Sequence, residues 1–339
     1  MFVQEFEMPY NAPMVDTLLL SLRKFLIDHW TQGKPLLLGY SGGPDSKALL
    51  YLLLACKRFF PLDLHLIHID HSWRDKSREE AMELQQEARS LNLEFHLFRL
   101  IPDELPKKNL EAHARSFRLQ CFKKTYCEIG AQALILAHQF EDQAETVLKR
   151  LFEGAHLRHA AGMRTVSVFN EMVVWRPLLD KRKSELIDWL AKKGLRGLED
   201  STNWDARFLR ARMRSELLPQ LSQAFGKGVE TNLCRFGQMA SELAEYFSLK
   251  LAHCFATLNA NAHEVHWDLS KYDLERIEWQ YLLREWASRE NIQLSLQVFD
   301  LCVGHLQKKS SAKNFPLKEG VLSLHRGILS FKRSIKCEL

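Results

Sequence analysis

Pro35-Leu-Leu-Leu-Gly-Tyr-Ser41-Gly42-Gly43-Pro44-Asp45-Ser46 is followed by a mostly apolar run over 47–59. A short apolar segment, a glycine turn and a longer apolar segment predict a buried strand, a loop and a helix. Both glycines are expected to bend the backbone so that successive N–H groups face inward, as in an anion nest. The following helix adds the positive end of its dipole, Ser41 and Ser46 add hydroxyls, and Pro44 suits a first helical turn. The pattern matches neither G-x-x-x-x-G-K-S/T nor G-x-G-x-x-G. The plain alternative is a capped glycine turn. Asp45 is placed to hold Mg²⁺ or its water shell beside bound phosphates, or to serve only as a helix N-terminal charge.

Outward from the loop, apolar periodicity predicts helices at 14–30, 76–91, 109–130 and 141–153, and strands at 62–69, 93–100 and 133–137. Strands alternating with helices imply an α/β fold with a parallel sheet, whose ligands bind at the carboxyl ends of the strands. A hairpin at 166–178 turns at Asn170-Glu171, and helices follow at 181–193 and 206–225. Gly226 and Gly228 punctuate the chain there, so 1–225 is expected to form the catalytic domain. The remainder, 226–339, reads as a linker helix over 229–258 and a small, mainly helical domain. It contains a strand at 264–269, helices at 273–290 and 296–308, and a hairpin about Arg326-Gly327.

The 339 residues carry 47 Lys and Arg against 42 Asp and Glu, a net charge of +5 that is far from a histone-like excess. The clustering says more. Arg207, Arg210, Arg212 and Arg214 fall within one predicted helix, and Lys181, Arg182 and Lys183 open another. They form a track for RNA phosphates or a solvated face. The seven cysteines lack any C-x-x-C, which argues against a zinc site or disulfide framework and for reduced thiols in a cytoplasm. The start lacks a signal-peptide pattern, and no apolar run reaches membrane-spanning length, so no membrane partner is expected.

Further motifs sit at the expected strand ends. His68-Ile-Asp70-His71-Ser-Trp73-Arg74 closes the second strand, and His138-Gln-Phe-Glu141-Asp142-Gln-Ala-Glu145 closes the fourth. Asp142 and Glu145 share a helix face, where they suit an ammonium ion and its proton; an exposed acidic helix start pairing with Lys149 is the alternative. His71 and His138 read equally as contacts to phosphate or base and as structural histidines. Arg115 and Arg118, one turn apart, either neutralise phosphates or pair with neighbouring acids. Arg176-Pro-Leu-Leu and Glu199-Asp-Ser-Thr-Asn203 complete the set, with Arg207 a candidate to reach the active site.

The loop resembles that of the N-type ATP pyrophosphatases. The ordered motifs resemble the tRNA(Ile)-lysidine synthases across roughly the first 220 residues. The resemblance implies a PP-loop nucleotide-binding domain of the adenine nucleotide alpha-hydrolase-like kind. It implies use of ATP, Mg²⁺ and free L-lysine to convert the wobble cytidine of tRNA(Ile) with a CAU anticodon into lysidine. ATP would then meet Ser41, Gly42, Gly43, Pro44, Asp45, Ser46, His68 and Asp70. Asp45, Asp142, Glu145 and Arg115 would be catalytic or bind lysine. The tRNA would meet Lys181, Arg182, Arg207, Arg210, Arg212 and Arg214. Homodimerisation is left open.

Glu141 departs from the pair of aspartates usual in the family, 154–163 departs from its glycine-leucine repeat, and the chain is expected to lack part of the carboxy-terminal domain of longer relatives. A tRNA 2-thiolating enzyme on the same fold is the first rival, and its sulfur-handling cysteine arrangement is missing here. A non-catalytic RNA-binding protein is the second rival, and the retained loop and carboxylates argue against it.

Overall fold

The structure, a computed structural model, describes residues 16–72, 76–100, 110–198, 209–261 and 263–334. Trp73, Arg74, the motif at 199–203 and Arg207 lie outside the described residues. The chain forms two compact units, 1–237 and 238–339, which meet within a helix rather than at Gly226.

In the first unit, α1 (Thr17–His29) leads to β1 (Leu36–Gly39), the nucleotide loop and α2 (Pro44–Cys56). Then come β2 (Leu64–Asp70), α3 (Ser77–Ser90), β3 (Glu94–Arg99), α4 (Leu110–Ile129), β4 (Ala133–Ile135) and α5 (Phe140–Phe152). A short α6 (Leu157–Ala160) precedes the hairpin β5 (Val166–Phe169) and β6 (Met172–Trp175). Asn170 and Glu171 both take positive φ, 47° and 65°, at its two-residue turn. The sheet order is β3-β2-β1-β4-β6-β5, parallel except for β5. Leu36, Leu37 and Leu38 are wholly buried, which explains why β1 reads as a continuous apolar run. From β1 the chain winds to β2 on one side and later to β4 on the other. The crevice between the carboxyl ends of β1 and β4 is therefore the switch point where such sheets bind ligands.

α7 (Lys183–Lys192) packs on α2. The helix expected over 206–225 is described as α8 (Leu209–Arg212), a π-helical turn (Met213–Leu217) and α9 (Leu218–Phe225). The Leu218 N–H reaches back five residues to Met213 O, and Pro219, which has no N–H, begins the next turn. α10 (Val229–Lys250) ends eight residues before the expected 258; α11 (Ala252–Phe255) follows.

The second unit holds α12 (Arg276–Arg289), α13 (Leu296–Lys308) and an antiparallel five-stranded sheet. Its strands are β7 (Leu258–Ala260), β8 (Glu264–Asp268), β9 (Lys313–Leu317), β10 (Gly320–His325) and β11 (Ile328–Arg333). Trp267, Trp279, Trp286 and Phe331 fill its core. The sheet is larger than the sequence suggests, since β7 is very short and β9 contains Pro316, which an edge strand tolerates.

Candidate active site

The loop after β1 is built by its own serines. Ser46 Oγ donates to Gly43 O at 3.0 Å and lies 3.1 Å from Ser41 Oγ, while Gly43 N donates to Ser41 Oγ at 3.4 Å. Only Gly42 requires a left-handed backbone, with φ +79°; a Cβ there would come within 2.7 and 2.8 Å of Leu84 and Leu198. Gly43 has φ −64°, and its Cβ would meet nothing nearer than 3.5 Å. The expectation that both glycines are conformationally required is thus corrected to one. A second close approach was not foreseen. Leu198 N donates to Gly42 O at 2.8 Å, and a Cβ on Gly197 would lie 2.5 Å from Pro44 N. The segment before 199 is pressed backbone to backbone against the loop. Lys47 is committed elsewhere, its Nζ 3.0 Å from Glu87, which also accepts from Tyr40 and Tyr51.

Asp45 follows the loop and is half-buried, with Oδ1 lacking a hydrogen-bond partner among the described residues. Burial pushes its pKa up to about 6; Lys183 and Arg214 oppose the rise, and Asp142 and Glu141 add to it. Asp45, Asp142, Glu141, Lys183 and Arg214 therefore share one electrostatic neighbourhood across the β1–β4 crevice.

Gln139, 1% exposed, caps α5: its side chain accepts from Glu141 N at 2.6 Å, and Asp142 Oδ2 accepts from Gln139 N at 3.1 Å. Asp142 Oδ1 accepts from Arg214 Nη2 at 3.1 Å, and Glu145 Oε1 accepts from Arg214 Nε at 2.7 Å. The two acids do share a face, and Arg214 fills it. Glu145 is 1% exposed and its Oε2 has no hydrogen-bond partner among the described residues; burial raises its pKa against the pull of Arg214. Burial works against the Arg214 charge, but Glu145, Asp142 and Asp45 raise its pKa overall. Lys149 pairs with Glu153 rather than with Glu145. Glu141 Oε2 accepts from Lys183 N at 3.0 Å, so this acid caps α7.

The other expected residues divide. His68 Nδ1 lies 2.8 Å from Tyr40 O, so it carries the hydrogen, and burial lowers the ring's pKa. Asp70, 2% exposed, is used internally: it accepts from Ser72 N and from Arg99 Nε, both at 2.8 Å, and these contacts hold its pKa down against burial. Arg210 Nη2 is 3.4 Å from Thr146 Oγ1, so Arg210 and Arg214 share a face that packs on α5. That face is not a free RNA track. Arg212 is half-buried, and Arg115 is exposed on α4. Lys181 pairs with Asp180, and Arg182 lies over the Phe140 ring and donates to Thr231 Oγ1. Lys183, read from sequence as part of the RNA track, is the cation that most lowers the Asp45 pKa; no sequence pattern links α7 to the loop.

A parallel sheet with this loop and acid-lined switch point defines an ATP-using enzyme domain of the PP-loop class. The PP-loop domain family model matches residues 16–221. The chain is 33% identical over 319 residues to the tRNA(Ile)-lysidine synthase of Protochlamydia amoebophila, covering 93% of this chain and 69% of that one. It is 34% identical over 282 residues to the tRNA(Ile)-lysidine synthase of Chlamydia pneumoniae, covering 82% and 86%. The U34-tRNA thiolase NcsA from Methanococcus maripaludis superposes with a TM-score of 0.55 at 17% identity, over 66% of this chain and 78% of that one, a likeness of fold alone. The chain belongs to the tRNA(Ile)-lysidine synthase family.

Proposed function

We propose that the protein is the ATP-dependent ligase that converts the wobble cytidine of CAU-anticodon tRNA(Ile) into lysidine, changing codon reading from AUG to AUA. Cytidine O2 attacks the α-phosphorus of ATP and pyrophosphate leaves. The ε-amine of lysine then attacks C2, the C2–O bond breaks, and AMP departs with that oxygen while the amine loses a proton. The observation that carries this reading is the meeting of Asp45, from the loop after β1, with Asp142, from the helix after β4, at the sheet's switch point.

The loop N–H groups and α2 dipole receive the ATP phosphates. Asp45 suits Mg²⁺: a buried carboxylate oxygen without a partner, on a group whose pKa is raised, is matched by a hard dication that prefers oxygen. Such an ion offsets charge on the leaving pyrophosphate. The two acids of α5 take different parts. Glu145, sealed at 1% exposure, anchors Arg214, whereas Asp142, at 15%, is the more accessible acid and receives the amine and its proton by sharing or exchanging its contact with Arg214. His68 and its neutral Nε2 lie at the β2 end, where the base of ATP can be met. Thiolation is disfavoured by the cysteines: Cys56, on the helix behind the loop, is buried with its thiol pushed up to about 11.

The test is mass spectrometry of tRNA nucleosides after incubation with ATP, Mg²⁺ and isotope-labelled lysine. Label in cytidine of the CAU-anticodon tRNA is expected. Pyrophosphate release without lysine incorporation would refute the assignment.

A further inference from the structure

Around His138 the structure gathers arginines that form no ion pair among the described residues. Leu136 N donates to Trp175 O at 2.9 Å, which sets Arg176, the next residue, beside the strand end that carries His138. Arg176 Nη1 donates to Arg164 O and Ser167 Oγ, both at 2.9 Å, and its Nε is buried without a hydrogen-bond partner among the described residues. Arg150 Nη1 donates to His159 O and, at 3.4 Å, to Gly162 O. These acceptors fix the guanidinium groups without cancelling their charge. Arg118 makes no hydrogen bond or ion pair among the described residues. None of the three has a carboxylate within ion-pair distance among them.

The three are electrostatically one group with Arg115 and Arg210. Crowding by protein around the guanidinium lowers the Arg118 pKa, with Arg115 and Arg210 adding to it, although the residue as a whole is exposed. Burial lowers that of Arg150, with Arg115 and Arg210 adding and Glu153 opposing. Burial and Arg150 lower that of Arg176. His138 gives no relief. Burial drives its pKa to about 4; Asp142 opposes this and Arg176, Arg210 and Arg118 reinforce it, so the ring is neutral at physiological pH. Its Nδ1 is buried without a hydrogen-bond partner among the described residues. Like charges held together away from water are costly unless an anion joins them.

We infer that Arg118, Arg150 and Arg176 form a phosphodiester site for the RNA backbone next to the reacting nucleotide. The inference rests on the reading of the substrate as tRNA. Guanidinium forks match phosphate oxygens in pairs, and the two partly engaged arginines are already held in place by their acceptors. The ATP phosphates are served by the loop after β1. Arg176 follows β6, two strand positions away, or about 10 Å at ordinary strand spacing. A polymer carries phosphates on both sides of its reacting base, and one of them fills this second anion site.

Arg118 is the residue to change, because its loss breaks no hydrogen bond or ion pair among the described residues. Binding of tRNA by the full chain is measured across a salt series for the parent, Arg118→Gln and Arg118→Lys, with ATP affinity measured separately in the absence of RNA. The Gln variant is expected to lose roughly one unit of log–log salt slope, while Lys, which keeps the charge, retains the slope. ATP affinity should stay within about twofold in both, on the scale of a residue that touches no nucleotide. A single methylphosphonate is also walked through an anticodon stem-loop. One position should weaken the parent but not weaken Arg118→Gln further. Parallel slopes for parent and Gln variant would overturn the inference, as would an equal loss of ATP affinity without RNA, which would assign the arginines to ATP. If the parent gave no tRNA-dependent pyrophosphate release, the proposed function would fall, and the salt slopes would still decide whether the cluster binds RNA phosphate.

Discussion

Arg214→Met separates an internal ion pair from an RNA contact. The Arg214 side chain is 29% exposed and lies 2.7 Å from Glu145, at 1%, and 3.1 Å from Asp142. Removing one partner of a buried pair costs about 3–5 kcal/mol, because the remaining charge keeps its desolvation penalty. The lower end applies here, since Glu145 can relieve the penalty by taking a proton. For a unit of this size, about 3 kcal/mol corresponds to a fall in Tm of roughly 6–12 °C. The deficit must also depend on pH. The Glu145 pKa is already raised in the folded state and loses its main opposing cation in the variant. A carboxyl whose folded pKa exceeds its unfolded value of about 4.3 gives stability that is complete below that value and lost as pH rises through the folded pKa. The gap between parent and variant should therefore widen from pH 5 to pH 8. Adding Glu145→Gln should close most of it.

Thermal melts of the parent, the single variant and the double variant at several pH values check this, with tRNA salt slopes taken in parallel. The salt slope should not change, because this guanidinium faces α5. A Tm drop that is independent of pH, or a double variant no more stable than the single one, would refute the internal-pair account. A slope lowered by one unit would return Arg214 to the RNA surface.

Other expectations follow from the same geometry. Asp45→Asn should stabilise the nucleotide-free protein at pH 8 by about 3 kcal/mol, since a buried carboxylate with a pKa of about 6 is charged there at a cost; the gain should fade towards pH 4 in melts, while ATP-dependent turnover is lost. Gly42→Ala should weaken ATP binding by about tenfold or more through left-handed strain and clash with Leu84 and Leu198, whereas Gly43→Ala should cost less than about threefold; calorimetric titration with equal losses would contradict the loop geometry. Asp142→Asn keeps an acceptor for the Gln139 N–H and should leave ATP affinity intact, but lower lysine transfer by about 10²-fold in single-turnover assays.

The local code carried most of the first unit. The Leu36–Leu38 run, the glycine loop and the α2 stripe are read from neighbours in sequence, and the structure places them within a few residues of expectation. What sequence could not show are contacts between distant segments. The resemblance makes Asp70 a contact for ATP; only the β2–β3 register, which sets Asp70 opposite Arg99, shows that its oxygens are already used. Arg210 and Arg214 are correctly placed on one face by their spacing, but a basic face reads as solvent-facing unless the acids of α5 are known to lie beneath it. Glu141 looks like an imperfect aspartate, and its work in capping α7 appears only when residues 141 and 183 are brought together.

The charges of the site are sorted by strand. Asp45 follows β1, and Asp142 and Glu145 follow β4 on α5; they make an acidic half tempered by Lys183 and Arg214. Arg176 follows β6, and with Arg150, Arg118 and Arg210 it makes a basic half, with neutral His138 next to both. A dication and an amine suit the first half, and an RNA backbone suits the second. A tRNA placed with its phosphates on the basic half brings the reacting base to the boundary, where the α-phosphorus of ATP is reached from one side and the amine at Asp142 from the other. The same sorting keeps the RNA phosphates from competing with pyrophosphate for the loop. Arg118, Arg150 and Arg176, which have no ion-pair partner among the described residues, are therefore best explained by the substrate.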